Sequence, residues 1–403
     1  MKIQNNPITT LHFVNVLLFA TILSIPLYFI RIPLFTTSLS ILTCFLITLS
    51  IILLIAHHKR ISTIFKKEKT LWYFALFFVL SFVPILILHP SLHGLGVFVE
   101  WLFIPAFTGF LIFVHTTQHT TARTWINAGI LTILFFVSCI SLLYLFHNTT
   151  TFDGRLQAYF LSPNHLAMFI APLIFFVVAY LITTQTLFIK IISFLTLLLA
   201  STTLFFTYSF STLFALLFSG LLITVILIKQ KILLFLTITL IITSLFFVGY
   251  QKIIHSNTDW QRNSFTSRLM IWDSALLHIQ NNIALSSGID NFQQDYLSTQ
   301  RYFEPYLEWS APTPHNLLLT LWISGGFFSV LFFCLLCARW LYLSIRTYYK
   351  TKNTVILLYI AALLTILLSS ILDTPYWKND LSIIFWIIIG STFIHTISTK
   401  SIK

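Results

Sequence analysis

The sequence predicts an all-α, polytopic integral membrane protein with about twelve transmembrane helices. Three observations carry that expectation. Of 403 residues, 57% are hydrophobic and only 8% are charged, whereas ordinary soluble domains hold roughly 25% charged residues. Phe occurs 42 times, largely in runs with Leu and Ile that suit lipid better than a water-soluble core. Polar residues, by contrast, collect in one long stretch from Tyr250 to Asn316. The net charge of +12 superficially suits a nucleic-acid binder. Basic residues at the cytoplasmic ends of membrane helices account for it better, and no nucleic-acid partner is expected.

A membrane span takes about 20 apolar residues. Such stretches fall near residues 11–30, 34–56, 71–89, 96–115, 125–147, 165–185, 187–209, 212–228, 232–250, 316–338, 354–372 and 381–397. The run from Leu11 is long and no small-residue cleavage site follows it, so it reads as a first span, not a signal peptide. The whole chain, 1–403, is expected to form a single membrane domain. Residues 251–315 would be a large, partly helical extracytoplasmic loop between the ninth and tenth spans. Cys44, Cys139, Cys334 and Cys337 all lie in apolar runs. Cys334 and Cys337 have the spacing of a redox or zinc pair, but buried small hydrophobes are the plainer reading.

Lys and Arg set the orientation. With the N-terminus in the cytoplasm, about 16 of the 23 basic residues fall on the inner side, so both termini are expected to face inward. The acids fall mostly outside: Asp153, Asp259, Asp273, Asp290, Asp295, Glu304, Glu308, Asp373 and Asp380. Glu68 is inner, and Glu100 lies within a span, where an acid is normally functional. The inner face has no Gly-rich phosphate loop and no acidic pair for a metal–nucleotide, which disfavours an ATP-driven or nucleotide-sugar enzyme. Any chemistry is expected on the outer face.

Five outer segments carry candidate residues. In the large loop, Leu269, Trp272, Leu276 and Ile279 recur at helical spacing after Ser264, Thr266 and Ser267. They predict an amphipathic helix on the membrane surface with Trp272 at headgroup depth and Arg268 in the first turn. Arg268 would either snorkel to lipid headgroups or present its planar fork to a phosphate. The turn Gly288-Ile289-Asp290-Asn291-Phe292 follows, and taken alone it reads as a simple loop. Next, Pro312-Thr313-Pro314-His315-Asn316 opens a span. A His at that mouth can titrate near neutrality and serve as a general base. Seven of the 13 His lie on or near the outer side, so position alone does not single out His315. An earlier loop holds Arg155 and Ser162-Pro163-Asn164-His165, and a later one holds Asp373 to Asp380 with Lys378. Arg155 and Lys378 can be read as interfacial anchors or as ligands.

Taken together, Arg155 with Ser162-Pro163-Asn164, Ser267-Arg268 with Ile271-Trp272, Gly288 to Phe292, and His315-Asn316 followed by Leu319 and Gly326 form a pattern. It resembles the O-antigen ligase and polymerase superfamily of bacterial membrane glycan transferases. The chain departs from the family pattern at Ile283 and Ser286, at Ser324 where an acid is usual, and at Ser329 where a second glycine is usual. The resemblance implies a GT-C-like membrane fold in the bacterial inner membrane with its active site facing the periplasm. It implies a metal-independent, inverting glycosyltransferase with no cofactor. The donor would be an undecaprenyl-pyrophosphate-linked glycan, the acceptor lipid A–core or another glycan, and membrane lipids would surround both. Arg268 and His315 would be catalytic, and Arg155, Arg268, Asn164, Asn316, Asp290 and Lys378 would bind the pyrophosphate or glycan. Ligase, polymerase and protein O-oligosaccharyltransferase remain alternatives because they share these motifs. A twelve-span transporter or lipid flippase is the non-enzymatic alternative.

Overall fold

A computed structural model describes residues 7–34, 37–227, 264–281, 283, 288–302 and 309–391. The described chain is nearly all helical. Its first helix is α1 (Pro7–Ser24), followed by a small antiparallel hairpin of β1 (Arg31–Leu34) and β2 (Thr37–Ser40). Next come α2 (Ile41–Lys67), α3 (Lys69–Leu80), α4 (Val83–Leu88), α5 (Leu92–Val97) and α6 (Ile104–Gln118). A π-helical turn, Phe98–Phe103, joins α5 to α6. Then follow α7 (Thr121–Phe146), α8 (Pro163–Thr183), α9 (Leu187–Phe206) and α10 (Phe210–Leu227). The polar stretch contributes α11 (Ser264–Asn281) and the short α12 (Phe292–Thr299). The chain closes with α13 (Leu317–Thr351), α14 (Thr354–Ser369) and α15 (Asn379–Ser391).

Helix starts are chemically marked. Ser40, Ser162, Asn316 and Asn353 each accept a hydrogen bond from a backbone N–H at the first turn of α2, α8, α13 and α14 respectively. Each satisfies one of the orphan donors that a helix N-terminus leaves open. Among the described residues, eight helical stretches are long and apolar enough to cross a membrane: Ile41–Lys66, Lys69–Leu88, Leu92–Gln118, Thr121–Phe146, Pro163–Thr183, Leu187–Phe206, Phe210–Leu227 and Leu317–Thr351. Leu11–Leu27, Thr354–Ser369 and Asn379–Ser391 are apolar but shorter. The stretch at 232–250 lies outside the described residues, as do residues 392–397 of the last expected span. The protein is therefore a multi-pass membrane protein; twelve spans were expected, and the described residues hold eight full-length candidates.

Two local differences have clear causes. The stretch expected to begin a span at 34 is instead hairpin up to Ser40. There the Arg31 guanidinium, bonded to Ser38, also meets Glu100 at 3.2 Å. Glu100 Oε1 also accepts from the Ser40 backbone N–H, and Asn379 Nδ2 donates to Ser40 Oγ. Glu100 thus ties both strands of the hairpin to the π-helical turn, and Asn379 ties Ser40 to α15. The second difference lies in α13, which is broken at Gly326, where φ is 73° and ψ is −179°. That region is essentially closed to residues with a Cβ. Ser329 Oγ lies 2.7 Å from Leu321 O and 2.8 Å from Gly326 O, sharing its proton between carbonyls that the break exposes. Ser329 thus mends the interrupted ladder.

Burial separates centre from rim. Every residue of α15 is buried, and α8 is nearly so. Around them, α9 and α10 leave Leu187, Phe188, Phe194 and Phe210 largely exposed, as lipid-facing helices do. α6 and α15 touch without intervening side chains: a Cβ on Gly109 would sit 2.6 Å from Trp386 Cβ. The four cysteines are free.

Candidate functional site

Four separate segments meet at the end of the bundle where α7 gives way to α8. Arg155 lies in the loop between them, and its backbone is pinned by Thr151: Thr151 Oγ1 accepts from Arg155 N at 3.0 Å. Its guanidinium donates from Nε to Thr207 O (2.9 Å) and from Nη2 to Asn164 Oδ1 (2.6 Å). Asn164, in the first turn of α8, passes the connection on, and its Nδ2 donates to Asp373 Oδ2 at 2.8 Å. Asp373 sits in the loop between α14 and α15 and is buried. Around the same carboxylate, Arg268 Nη2 lies at 3.9 Å and His315 Nδ1 at 3.6 Å. Arg155, Arg268 and His315, distant in sequence, therefore surround one acid.

The electrostatics follow from that arrangement. Burial acts to raise the Asp373 pKa. The adjoining His315 ring, the Arg268 charge and the Thr374 N–H (3.0 Å from Oδ1) together outweigh it and hold the carboxyl below its ordinary range. Burial lowers the Arg155 pKa; the neighbouring Arg268 charge adds to that shift while Asp153 and Asp373 oppose it. Two guanidiniums thus stand close enough to repel each other, with one buried carboxylate between them. Such a cluster favours an incoming anion. Burial likewise lowers the Lys378 pKa, against the pull of Asp380, Asp373 and Asp290.

His315 is held in an unusual way. Its φ is +51°, a left-handed conformation that is uncommon for a residue with a side chain. Neighbours on both sides impose it. Trp272 Nε1 donates to Pro314 O at 2.9 Å, and Asn316 Nδ2 donates to Ile371 O at 3.0 Å. Leu317 N–H donates to Ser370 O at 2.9 Å, which fastens the same segment to the Asp373 loop. His315 Nδ1 is buried without a hydrogen-bond partner among the described residues, since 3.6 Å to Asp373 is too long. About a third of the side chain, 36%, remains exposed. The ring has one nitrogen against a carboxylate and part of its edge open, the arrangement a general base requires.

The remaining candidates divide. Asn316 caps α13 and ties the two loops, so it positions the site. Asp290, with φ +61°, pairs with His93 Nε2 at 2.7 Å. Lys378 lies within the electrostatic reach of Asp373. The α11 expectation needs correction. Its buried face is Met270, Ile271, Ala275 and Ile279, packed on Phe292, Tyr296 and Ile323, while Leu269 and Leu276 are exposed. Arg268 lies at least one turn inside the helix that includes Ser264, not in its first turn, so N-terminal amides do not flank it. Trp272 is half-buried and serves as a clamp on Pro314. Sequence reasoning missed Asp373 as a site residue, although it was visible as an acid beside Thr374-Pro375 in an outer loop. It also missed a second pair, His165 Nε2 with Asp380 Oδ2 at 2.8 Å, with Tyr28 Oη 3.4 Å from His165 Nδ1. Lys252, Arg262, Glu304 and Glu308 lie outside the described residues.

Fold and site define a multi-pass helical membrane protein with a cluster of two arginines, a histidine and a buried aspartate at one end of its bundle. The O-Antigen ligase family model matches residues 195–334, and over this stretch the chain is similar to the O-antigen ligase and polymerase superfamily. The match takes in Arg268, Asp290, His315 and Asn316; Arg155, Asn164, Asp373 and Lys378 fall outside it. No curated protein matches the chain.

Proposed function

We propose that the protein is an O-antigen ligase-type glycosyltransferase that moves a glycan from undecaprenyl pyrophosphate to an acceptor hydroxyl on the outer face of the inner membrane. The observation that carries this reading is the convergence of Arg155, Arg268 and His315 on Asp373. The donor leaves as a lipid pyrophosphate, whose growing charge needs fixed cations in a dry site. Arg268 and Arg155 supply them as paired planar forks, in the place a divalent metal takes in other transferases. His315 accepts the acceptor's hydroxyl proton as that oxygen bonds to the anomeric carbon. The bond from that carbon to the pyrophosphate oxygen breaks on the opposite side, giving inversion. Asp373 stabilises the imidazolium so formed and keeps both arginines in place between turnovers. An apolar groove of about 450 Å³ between α1 and α7, lined by Pro26, Phe29, Phe136 and Tyr159, would take part of the polyprenyl chain. The 251–315 loop would cover the sugars, and both termini would be cytoplasmic.

The motifs leave the acceptor open between lipid A–core, a second lipid-linked repeat and a protein hydroxyl; the ligase reading is preferred. The test is a glycan profile of the host lacking this gene, complemented with wild type, Arg268→Ala or His315→Ala at matched membrane levels. A ligase leaves polymer on the polyprenyl carrier and none on lipid A–core. A polymerase leaves single repeats transferred and long chains absent. Full complementation by both variants sinks the catalytic assignment and favours the transporter or flippase.

A further inference from the structure

Three histidines that the reaction does not use meet at the other end of the bundle. His57 lies on α2, His115 on the last turn of α6, and His119 one residue beyond that helix. The first two are buried and the third half-buried. Their rings are mutual neighbours, with centroids 5.1 Å apart for His57–His115, 5.1 Å for His115–His119 and 5.8 Å for His57–His119. One ring nitrogen from each lies within 4.8 Å of the others. The site is remote from Asp373: α7 alone, which starts beside His119 and ends towards the Arg155 loop, is about 39 Å long at about 1.5 Å per residue.

The hydrogen bonds prepare ligand atoms. Asn15 Oδ1, buried on α1, lies 3.0 Å from His115 Nε2 and can only accept, so the proton is on Nε2. His115 Nδ1 is then a bare lone pair aimed at His57 Nε2, 2.9 Å away. A metal-bound histidine commonly makes this outer contact, its far N–H donating to a fixed oxygen. Three neutral imidazoles without a carboxylate suit a borderline d-block dication rather than magnesium or calcium, and leave a fourth position for water. Arg60 lies close enough for its charge to act on the cluster, and its Nη1 donates to Gln118 Oε1 at 2.9 Å. The spacing His115-X3-His119 was legible in the sequence; its third member, 58 positions upstream of His115, was not.

We propose that His57, His115 and His119 form a binding site for one divalent cation of the zinc class. Binding exchanges the His57–His115 hydrogen bond for metal–nitrogen bonds and fastens α2 to the α6–α7 turn, with α1 engaged through Asn15. This does not depend on the transferase reading, because no step of that reaction passes through it.

The test uses the full-length protein in detergent, stripped with a chelator and then equilibrated with Zn²⁺ or Co²⁺ and desalted. Wild type is expected to retain one metal per chain by elemental analysis and, with Co²⁺, to show the visible absorption of a low-symmetry histidine site. His57→Gln with His119→Gln should lose both signals while its elution profile stays monodisperse. Asn15→Leu should weaken affinity about 10- to 100-fold. His315→Ala should retain the metal. Metal content in wild type no higher than in the double glutamine variant overturns the site, as does loss of the metal in His315→Ala alone.

Discussion

Two histidine–aspartate pairs draw their acids from the segment that leads into and opens α15, and they are built in opposite ways. His165 and Asp380 meet at 2.8 Å, both essentially fully buried, on the first turns of α8 and α15. His315 and Asp373 stand 3.6 Å apart on loop segments, with the histidine a third exposed and its backbone left-handed. The first pair is directly hydrogen-bonded and closed to solvent, so it can hold two helices together but cannot exchange a proton with a substrate. The second is incompletely satisfied and open on one side. Residue types do not separate a strut from a working pair; exposure, contact distance and backbone strain do.

The sharpest way to break this comparison is to remove the two histidines in turn. His315→Ala should lower glycan transfer about 100- to 10,000-fold, the usual range for a general base, with little change in the melting temperature of the purified protein. Comparable losses for His165→Ala in transfer per folded molecule would show that the pairs are not different in kind. Stability should separate them next. His165→Leu leaves Asp380 buried without its partner and should destabilise the protein by about 3–5 kcal/mol, read as lost membrane yield or an earlier thermal transition. Adding Asp380→Leu should recover most of that loss, whereas no second substitution at Asp373 should rescue His315→Ala.

A smaller effect is expected at the break in α13. Gly326→Ala places a Cβ in a region that costs on the order of 1–3 kcal/mol, and the strain should reach His315 through the segment that α13 begins. Transfer should fall with no change in which acceptor is used, and equal activity would mean that the break is incidental. The smallest effect concerns pH. Asp373 is held below its unfolded value, so the stability it brings is present in full above about pH 4 and is lost as pH falls through the lower folded value. Wild type and Asp373→Asn should differ by a constant melting interval from about pH 8 to about pH 5 and converge only in stronger acid. An interval that changes near neutrality would assign the linkage to another group.

The sequence made the membrane character legible because hydropathy needs no partner: a run of Leu, Ile and Phe is apolar wherever it packs. Arg155, Arg268 and His315 were visible as polar residues at the ends of such runs, but only the resemblance to a known family singled them out. Asp373 was not, because its role comes from Asn164, 209 positions away, and from two loops that pin His315 beside it. The inward face of α11 was not legible because that helix carries apolar residues on more than one side. Only the neighbours Phe292, Tyr296 and Ile323 decide that Met270, Ile271 and Ala275 turn inward. Similarly, the stretch from residue 34 is apolar enough to pass for the start of a span, and the hairpin becomes visible only through the Arg31–Glu100 contact.

The burial of α15 has a consequence for how the protein is made. Among the described helices it is the last to leave the ribosome, yet it is the one enclosed on every side by chain already synthesised. Asp373 and Asp380, which gather both histidine pairs, arrive only with it. Earlier helices must therefore enter the bilayer with a cleft still open at their centre, and docking of this late segment completes the structure and creates the site in the same event. A nascent chain that stops before residue 373 would already carry Arg155, Arg268 and His315, but with nothing to bring them together.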